Sequence, residues 1–180
     1  MELIEKTLES TVGFDGHLLH LRVDTARLPN GETARREVVE HPGGVAVVAL
    51  TDDQQVLLVR QFRYPYGQVL TELPAGKRDG GEEPLTTGKR ELEEETGYQA
   101  DTFTPLGMVY PSPGYCDEVI YLYLATGLHA TAAHPDADEF LEVERRPLED
   151  AVKGVMAGEF PDAKTQIGLL KAYQLLHKGD

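Results

Sequence analysis

Six apolar residues stand in a row at 45–50, "VAVVAL", and they set the first limit on the fold. The run falls far short of the roughly 20 residues that a membrane-crossing helix needs, and it has the length of a buried strand. Such a strand requires partners, so the chain must build a sheet. "HLLHLRV" at 17–23, "ARREVVEH" at 34–41, "GVAVVAL" at 44–50 and "QVLLVRQFR" at 55–63 supply them, with "PNGE" at 29–32 and "TDDQQ" at 51–55 as turns. Together they predict an opening meander of antiparallel strands.

From residue 84 the period changes. Pro84 suits a first helical turn, Leu85 and Leu92 share a side, and Gly97 is a stop, so 84–96 reads as a helix. "VIYLYLAT" at 119–126 is a further strand, and a polar loop at 127–138 precedes a strand at 140–148. Helical spacing then returns twice, at 148–158 and at 162–179, where Ile167, Leu170, Tyr173 and Leu176 recur. Strands followed and interrupted by helices predict an α+β layered domain.

Charge narrows the partners. With 31 acidic against 17 basic residues the net charge is −14, a surface that repels nucleic acid and anionic membrane. An anionic substrate would need local cations. The lone Cys116 rules out an internal disulfide and a zinc site built on several thiolates, and it reads as a small buried residue. The six histidines show no ligand spacing. The opening "MELIEKTLES" lacks the basic and then apolar regions of a secretory signal, so a cytoplasmic protein is expected.

The helix at 84–96 poses a puzzle. Glu91 and Glu95 lie one turn apart on one face, and like charges so placed weaken a helix by a few tenths of a kcal/mol. Glu94, three residues after Glu91, can reach the same point. A run of glutamates is ordinarily a solvated face. A divalent cation among them would remove the repulsion, since hard oxygens suit Mg2+ or Mn2+. Arg90 is placed to orient a carboxylate, whereas Glu93 points elsewhere into solvent.

Read outward, "GKRDGGEEPLTTGKRELEEETGY" at 76–98 resembles the Nudix box, G-x5-E-x7-R-E-U-x-E-E-x-G-U with U aliphatic. Gly76, Glu82, Arg90, Glu91, Leu92, Glu94, Glu95 and Gly97 match it, and Tyr98 alone departs at the final packing position. The resemblance implies a Nudix α/β/α sandwich with a mixed sheet, and a Mg2+-dependent hydrolase (Mn2+ being the alternative ion) of nucleoside diphosphates linked to another group. It implies Glu91, Glu95 and the carbonyl of Ala75 as metal ligands and Arg90 and Glu94 as catalytic groups. Gly76 is expected to give unusual backbone angles where the loop bends toward the metal.

"MVYPSPGYCDEVIYLYLAT" at 108–126, with Pro113 sixteen positions after Gly97, is similar to the ADP-ribose pyrophosphatase branch. That likeness implies cleavage of ADP-ribose to AMP and ribose 5-phosphate. Arg63 in "QFR" and Arg36 in "RREVVE" match arginines that contact substrate, and guanidinium forks suit a diphosphate. Pro113 and Glu118 belong to a substrate-binding loop in which Tyr110 and Tyr115 are either core or pocket lining. The general base is expected at Glu139, with Asp136, Asp138 and Glu142 competing. Residues 1–42 are similar to the family's extra antiparallel sheet, which exchanges across a homodimer, leaving 43–180 as the hydrolase domain. Two other readings stay open: a pyrophosphatase for GDP-mannose or another nucleotide sugar, and a non-catalytic nucleotide sensor.

Overall fold

A computed structural model describes residues 2–134 and 140–178 of the chain. They form two compact units, one of Met1–Gly43 with Tyr110–Val119 and one of Gly44–Val109 with Ile120–Asp180.

In the first unit β1 (Lys6–Asp15), β2 (His20–Arg27) and β3 (Thr33–Glu40) pair in that order as an antiparallel sheet. The β2–β3 turn closes through Gly31 N–H on the Leu28 carbonyl, 2.9 Å, with Gly31 at φ 90°. Every residue of β1 is exposed. The segment 110–119 joins this unit through Val39, whose N–H donates to the Tyr115 carbonyl at 2.7 Å and whose carbonyl accepts from Asp117 at 3.1 Å. That long-range attachment has no signature in the local sequence.

The second unit holds β4 (Gly44–Leu50), β5 (Gln55–Arg63), β6 (Gln68–Glu72), β7 (Ala75–Lys77), α1 (Pro84–Thr96), β8 (Tyr98–Val109), β9 (Ile120–Ala130), β10 (Leu141–Pro147), α2 (Leu148–Met156) and α3 (Ala163–Leu176). Its mixed sheet runs β10-β5-β4-β9-β8, with β6 on β5 and β7 on β4. The expected continuous meander is therefore broken after β3. β4 pairs in parallel with β9 from Gly44↔Ile120 to Ala49↔Ala125, and antiparallel with β5 and β7. The physical reason is composition. β4 is buried along its whole length and belongs inside a sheet, whereas β3 carries exposed Arg35, Arg36 and Glu37.

Alternation along β4 builds a layer on each face. Ala46, Val48 and Leu50 pack with Leu148, Ala151 and Val155 of α2 and Leu169 and Ala172 of α3. Val45, Val47 and Ala49 pack with Leu92 of α1. This is the helix–sheet–helix sandwich of the expected α+β class. Among the described residues no helix is long and apolar enough to cross a membrane.

Candidate active site

Helix α1 is seated by its glycines and by one leucine. A Cβ on Gly88 would meet Val45 Cγ1 at 3.0 Å, so the helix backbone lies close to β4. Leu92 is fully buried in the layer between them. Gly97 ends the helix at φ 69°, in the left-handed region, and its N–H donates to the Glu93 carbonyl at 2.8 Å. The buried residues Thr87, Gly88, Glu91, Leu92, Glu95 and Thr96 follow a helical stripe. Two carboxylates therefore sit on the face that ordinarily carries only apolar groups, which is costly without compensating partners.

β7 and Arg90 supply those partners. Ala75 N–H donates to Glu95 Oε2 at 2.9 Å. A Cβ on Gly76 would fall 1.9 Å from Glu91 Cδ and Oε1 and 2.3 Å from Oε2, so the Glu91 carboxylate lies directly over the Gly76 backbone. Gly76 is a residue of strand β7 and is absent from the positive-φ residues among those described, which corrects the expectation of unusual backbone angles. Glycine is required there because any side chain would occupy the space of the carboxylate.

Arg90 ties the box together. Its Nη1 donates to Glu91 Oε1 and Glu94 Oε2, both at 2.8 Å, and its Nη2 to the Lys77 carbonyl at 3.2 Å and Glu82 Oε2 at 3.3 Å. Glu82 also accepts from Thr87 Oγ1 at 2.8 Å. Partial burial works against the Arg90 charge, but Glu91, Glu82 and Glu94 outweigh it and hold the guanidinium above its usual range. Glu94 is half-exposed while Glu91 and Glu95 are buried, so the three expected carboxylates divide into a buried pair and an outer member on Arg90.

Among the described residues, no three acidic, histidine or cysteine side chains are gathered as a complete ligand cluster. What is present is smaller: two buried carboxylates against the backbone at Ala75 and Gly76. Those hard oxygens fit Mg2+, which takes few protein ligands and completes its shell with water and phosphate.

Arg63 ends β5 and forms a paired fork on Glu72, with Nε and Nη2 each 2.8 Å from a carboxylate oxygen. The bonds to Glu72 outweigh burial and raise the Arg63 pKa, and Glu95 adds to the effect through its charge. Lys164 of α3 donates to the same Glu72 carboxylate. Neither Glu72 nor Lys164 is singled out by sequence spacing; they are 92 residues apart.

The other expected site residues are distributed differently. Arg36 on β3 is in the first unit, bonded to Glu5 through Nε at 2.9 Å and Nη2 at 2.7 Å. Pro113 and Glu118 also lie in that unit, where Glu118 Oε1 is 3.4 Å from His41 Nδ1. Tyr110 and Tyr115 are exposed. Glu142 on β10 pairs with Arg60 at 2.7 Å at an open surface. Glu139, Asp136 and Asp138 lie outside the described residues; just before them, His134 N–H donates to the Glu94 carbonyl at 3.0 Å.

The chain resembles known proteins over most of its length. Residues 40–167 match the NUDIX domain, and residues 5–44 match the nucleoside diphosphate sugar hydrolase N-terminal domain. The chain belongs to the Nudix family, whose hydrolases generally use divalent metal cations. It is 46% identical over 165 residues to the ADP-ribose pyrophosphatase of Bacillus subtilis (strain 168), covering 91% of this chain and 89% of that protein. It is 42% identical over 167 residues to the methanol dehydrogenase activator of Bacillus methanolicus, covering 92% and 90%. The crystal structure of an ADP compounds hydrolase superposes with a TM-score of 0.85 over 97% of this chain and 95% of that one; at 22% identity it speaks for the fold alone.

Proposed function

We propose that this Nudix hydrolase cleaves the pyrophosphate bond of ADP-ribose, giving AMP and ribose 5-phosphate, with Mg2+ as its ion and Mn2+ able to replace it. The observation that carries the chemistry is the buried Glu91–Glu95 pair against the β7 backbone, with Glu91 held by Arg90 and Glu95 by the Ala75 N–H. The 46% identity to a protein named for ADP-ribose hydrolysis supports the substrate.

Glu91, Glu95 and the Ala75 carbonyl would hold the ion. When bound, it supplies positive charge that screens the diphosphate and makes water easier to deprotonate. Arg90 keeps the Glu91 and Glu94 oxygens at fixed positions, so the site meets its substrate preorganised. Arg63, through the Nη1 that Glu72 leaves outside its pair, and Arg36 in the assembled protein bind phosphate oxygens. Water attacks one phosphorus as the bridging P–O bond breaks, and its proton passes to a carboxylate, for which Glu139 is the candidate. Pro113 and Glu118 contribute to substrate binding. The chain works in the cytoplasm as a homodimer in which the wholly exposed β1 and its sheet exchange between subunits; Val12, 78% exposed, and Phe14, 59% exposed, support this.

The test is a panel of nucleoside diphosphates, incubated with and without Mg2+, with products identified by chromatography. ADP-ribose should give AMP and ribose 5-phosphate only when the ion is present. Preference for GDP-mannose overturns the substrate, and turnover of nothing favours a nucleotide sensor.

A further inference from the structure

Two segments distant in sequence meet behind Arg63. Glu72, the last residue of β6, is 1% exposed and takes the Arg63 fork on both oxygens. Lys164, in the first turn of α3, donates to Glu72 and lies 3.1 Å from Asp162 Oδ1. Asp162 is itself fixed as the helix cap, accepting Thr165 N–H at 2.9 Å and Thr165 Oγ1 at 2.6 Å. Thr165 Oγ1 in turn accepts Leu73 N–H at 2.9 Å. The start of α3 is thereby stapled to the chain between Glu72 and Ala75, so the Lys164 ammonium has one place to be.

We infer that Lys164 is a positioning residue for diphosphate binding: it shares the charge of Glu72, so that this carboxylate orients Arg63 without cancelling its attraction for phosphate. The inference rests on the reading of Arg63 as a phosphate-binding group. Glu72 engages Nε and Nη2 of Arg63 and leaves Nη1 outside the pair. Two cations, Arg63 and Lys164, face two carboxylates, Glu72 and Asp162, and the set is neutral. Without the ammonium, Glu72 would face Arg63 alone and its charge would cancel more of the guanidinium's attraction for phosphate. Glu95 is close enough to influence Arg63 as well, so the local field is already weighted toward carboxylates.

A purely structural lysine would neutralise Glu72 for stability and leave substrate affinity alone. Steady-state kinetics on Lys164→Met, Lys164→Arg, Arg63→Ala and the Arg63→Ala/Lys164→Met double variant separate the two roles. Lys164→Met should raise KM for ADP-ribose about tenfold with kcat within about threefold of the parent, and Lys164→Arg should return KM to within about threefold. In the Arg63→Ala background the lysine change should add less than about twofold, because the ammonium acts through that guanidinium. An unchanged KM in Lys164→Met overturns the inference, as does an equal rise in both backgrounds. A Lys164→Met chain that cannot fold also counts against it, by making the ammonium structural. If Arg63→Ala alone leaves KM unchanged, the reading of Arg63 fails and the inference falls with it; if Arg63→Ala raises KM and Lys164→Met does not, only the inference fails.

Discussion

Replacing Gly76 with alanine should separate metal binding from folding. The added Cβ would lie 1.9 Å from Glu91 Oε1, whereas an ordinary carbon–oxygen contact is about 3.3 Å, so the carboxylate must retreat by roughly 1.4 Å. The three nearest atoms all belong to the end of the Glu91 side chain, which can swing away, and Gly76 does not have positive φ. The fold should survive: losing the Arg90–Glu91 bond costs about 1 kcal/mol, or roughly 2–4 °C in Tm for a chain of this size. Coordination is less forgiving, since ligand distances are defined to about 0.2 Å and a displacement of about 1 Å can cost on the order of 100-fold in rate. Gly76→Ala should therefore weaken Mn2+ binding, read by electron paramagnetic resonance, by at least about tenfold while Tm falls by only about 2–4 °C. A variant that binds Mn2+ within about twofold of the parent would show that Glu91, as placed by β7, is not a ligand.

Glu95→Gln should lower turnover by orders of magnitude with the fold intact, because the amide oxygen can still accept Ala75 N–H while the charge is gone; kcat and a thermal melt measured together check this. Gly97→Ala should cost about 1–3 kcal/mol, since φ is 69° and a Cβ would stand 2.9 Å from the Ala133 nitrogen; denaturant unfolding reads it, and a loss below about 0.5 kcal/mol would contradict the account. Glu72 makes stability pH-dependent. Burial raises its pKa, but Arg63 and Lys164 together more than reverse that, so the folded-state pKa is depressed. A depressed carboxyl contributes fully above its unfolded pKa, and the contribution is lost as pH falls through the folded value. Glu72→Gln should thus show a shallower fall in Tm below about pH 5 than the parent, and parallel curves would contradict this.

Much of the framework was legible because local sequence and tertiary demand agree. β4, β5 and α1 begin and end where the apolar runs, "TDDQQ", Pro84 and Gly97 place them. Four strands carry no local periodic signal. β1 is exposed throughout and so carries no buried alternation. β6 and β7 span five and three residues, too short for a period to show. β8 runs over Pro105 and Gly107, where its register shifts against β9, and those residues read locally as a break. At the site, the convergence of Glu91, Glu94 and Glu95 could be read from spacing, since a helix turns spacing into proximity, whereas Gly76 and Glu82 lie outside α1 and were marked by the resemblance to the box. The role of Gly76 could not, because what excludes a side chain there is Glu91, fifteen residues away. Nor could the Glu72–Lys164 contact, which depends on how α3 docks.

The central claim is that Glu91 and Glu95, set against β7, capture a divalent cation that grips a diphosphate. Anomalous diffraction from crystals soaked with Mn2+ and a non-hydrolysable ADP-ribose analogue tests it most directly. A Mn2+ peak is expected about 2.0–2.3 Å from oxygens of Glu91, Glu95 and Ala75, with analogue phosphate oxygens completing the shell. A peak elsewhere, with the analogue's diphosphate away from α1, would contradict it.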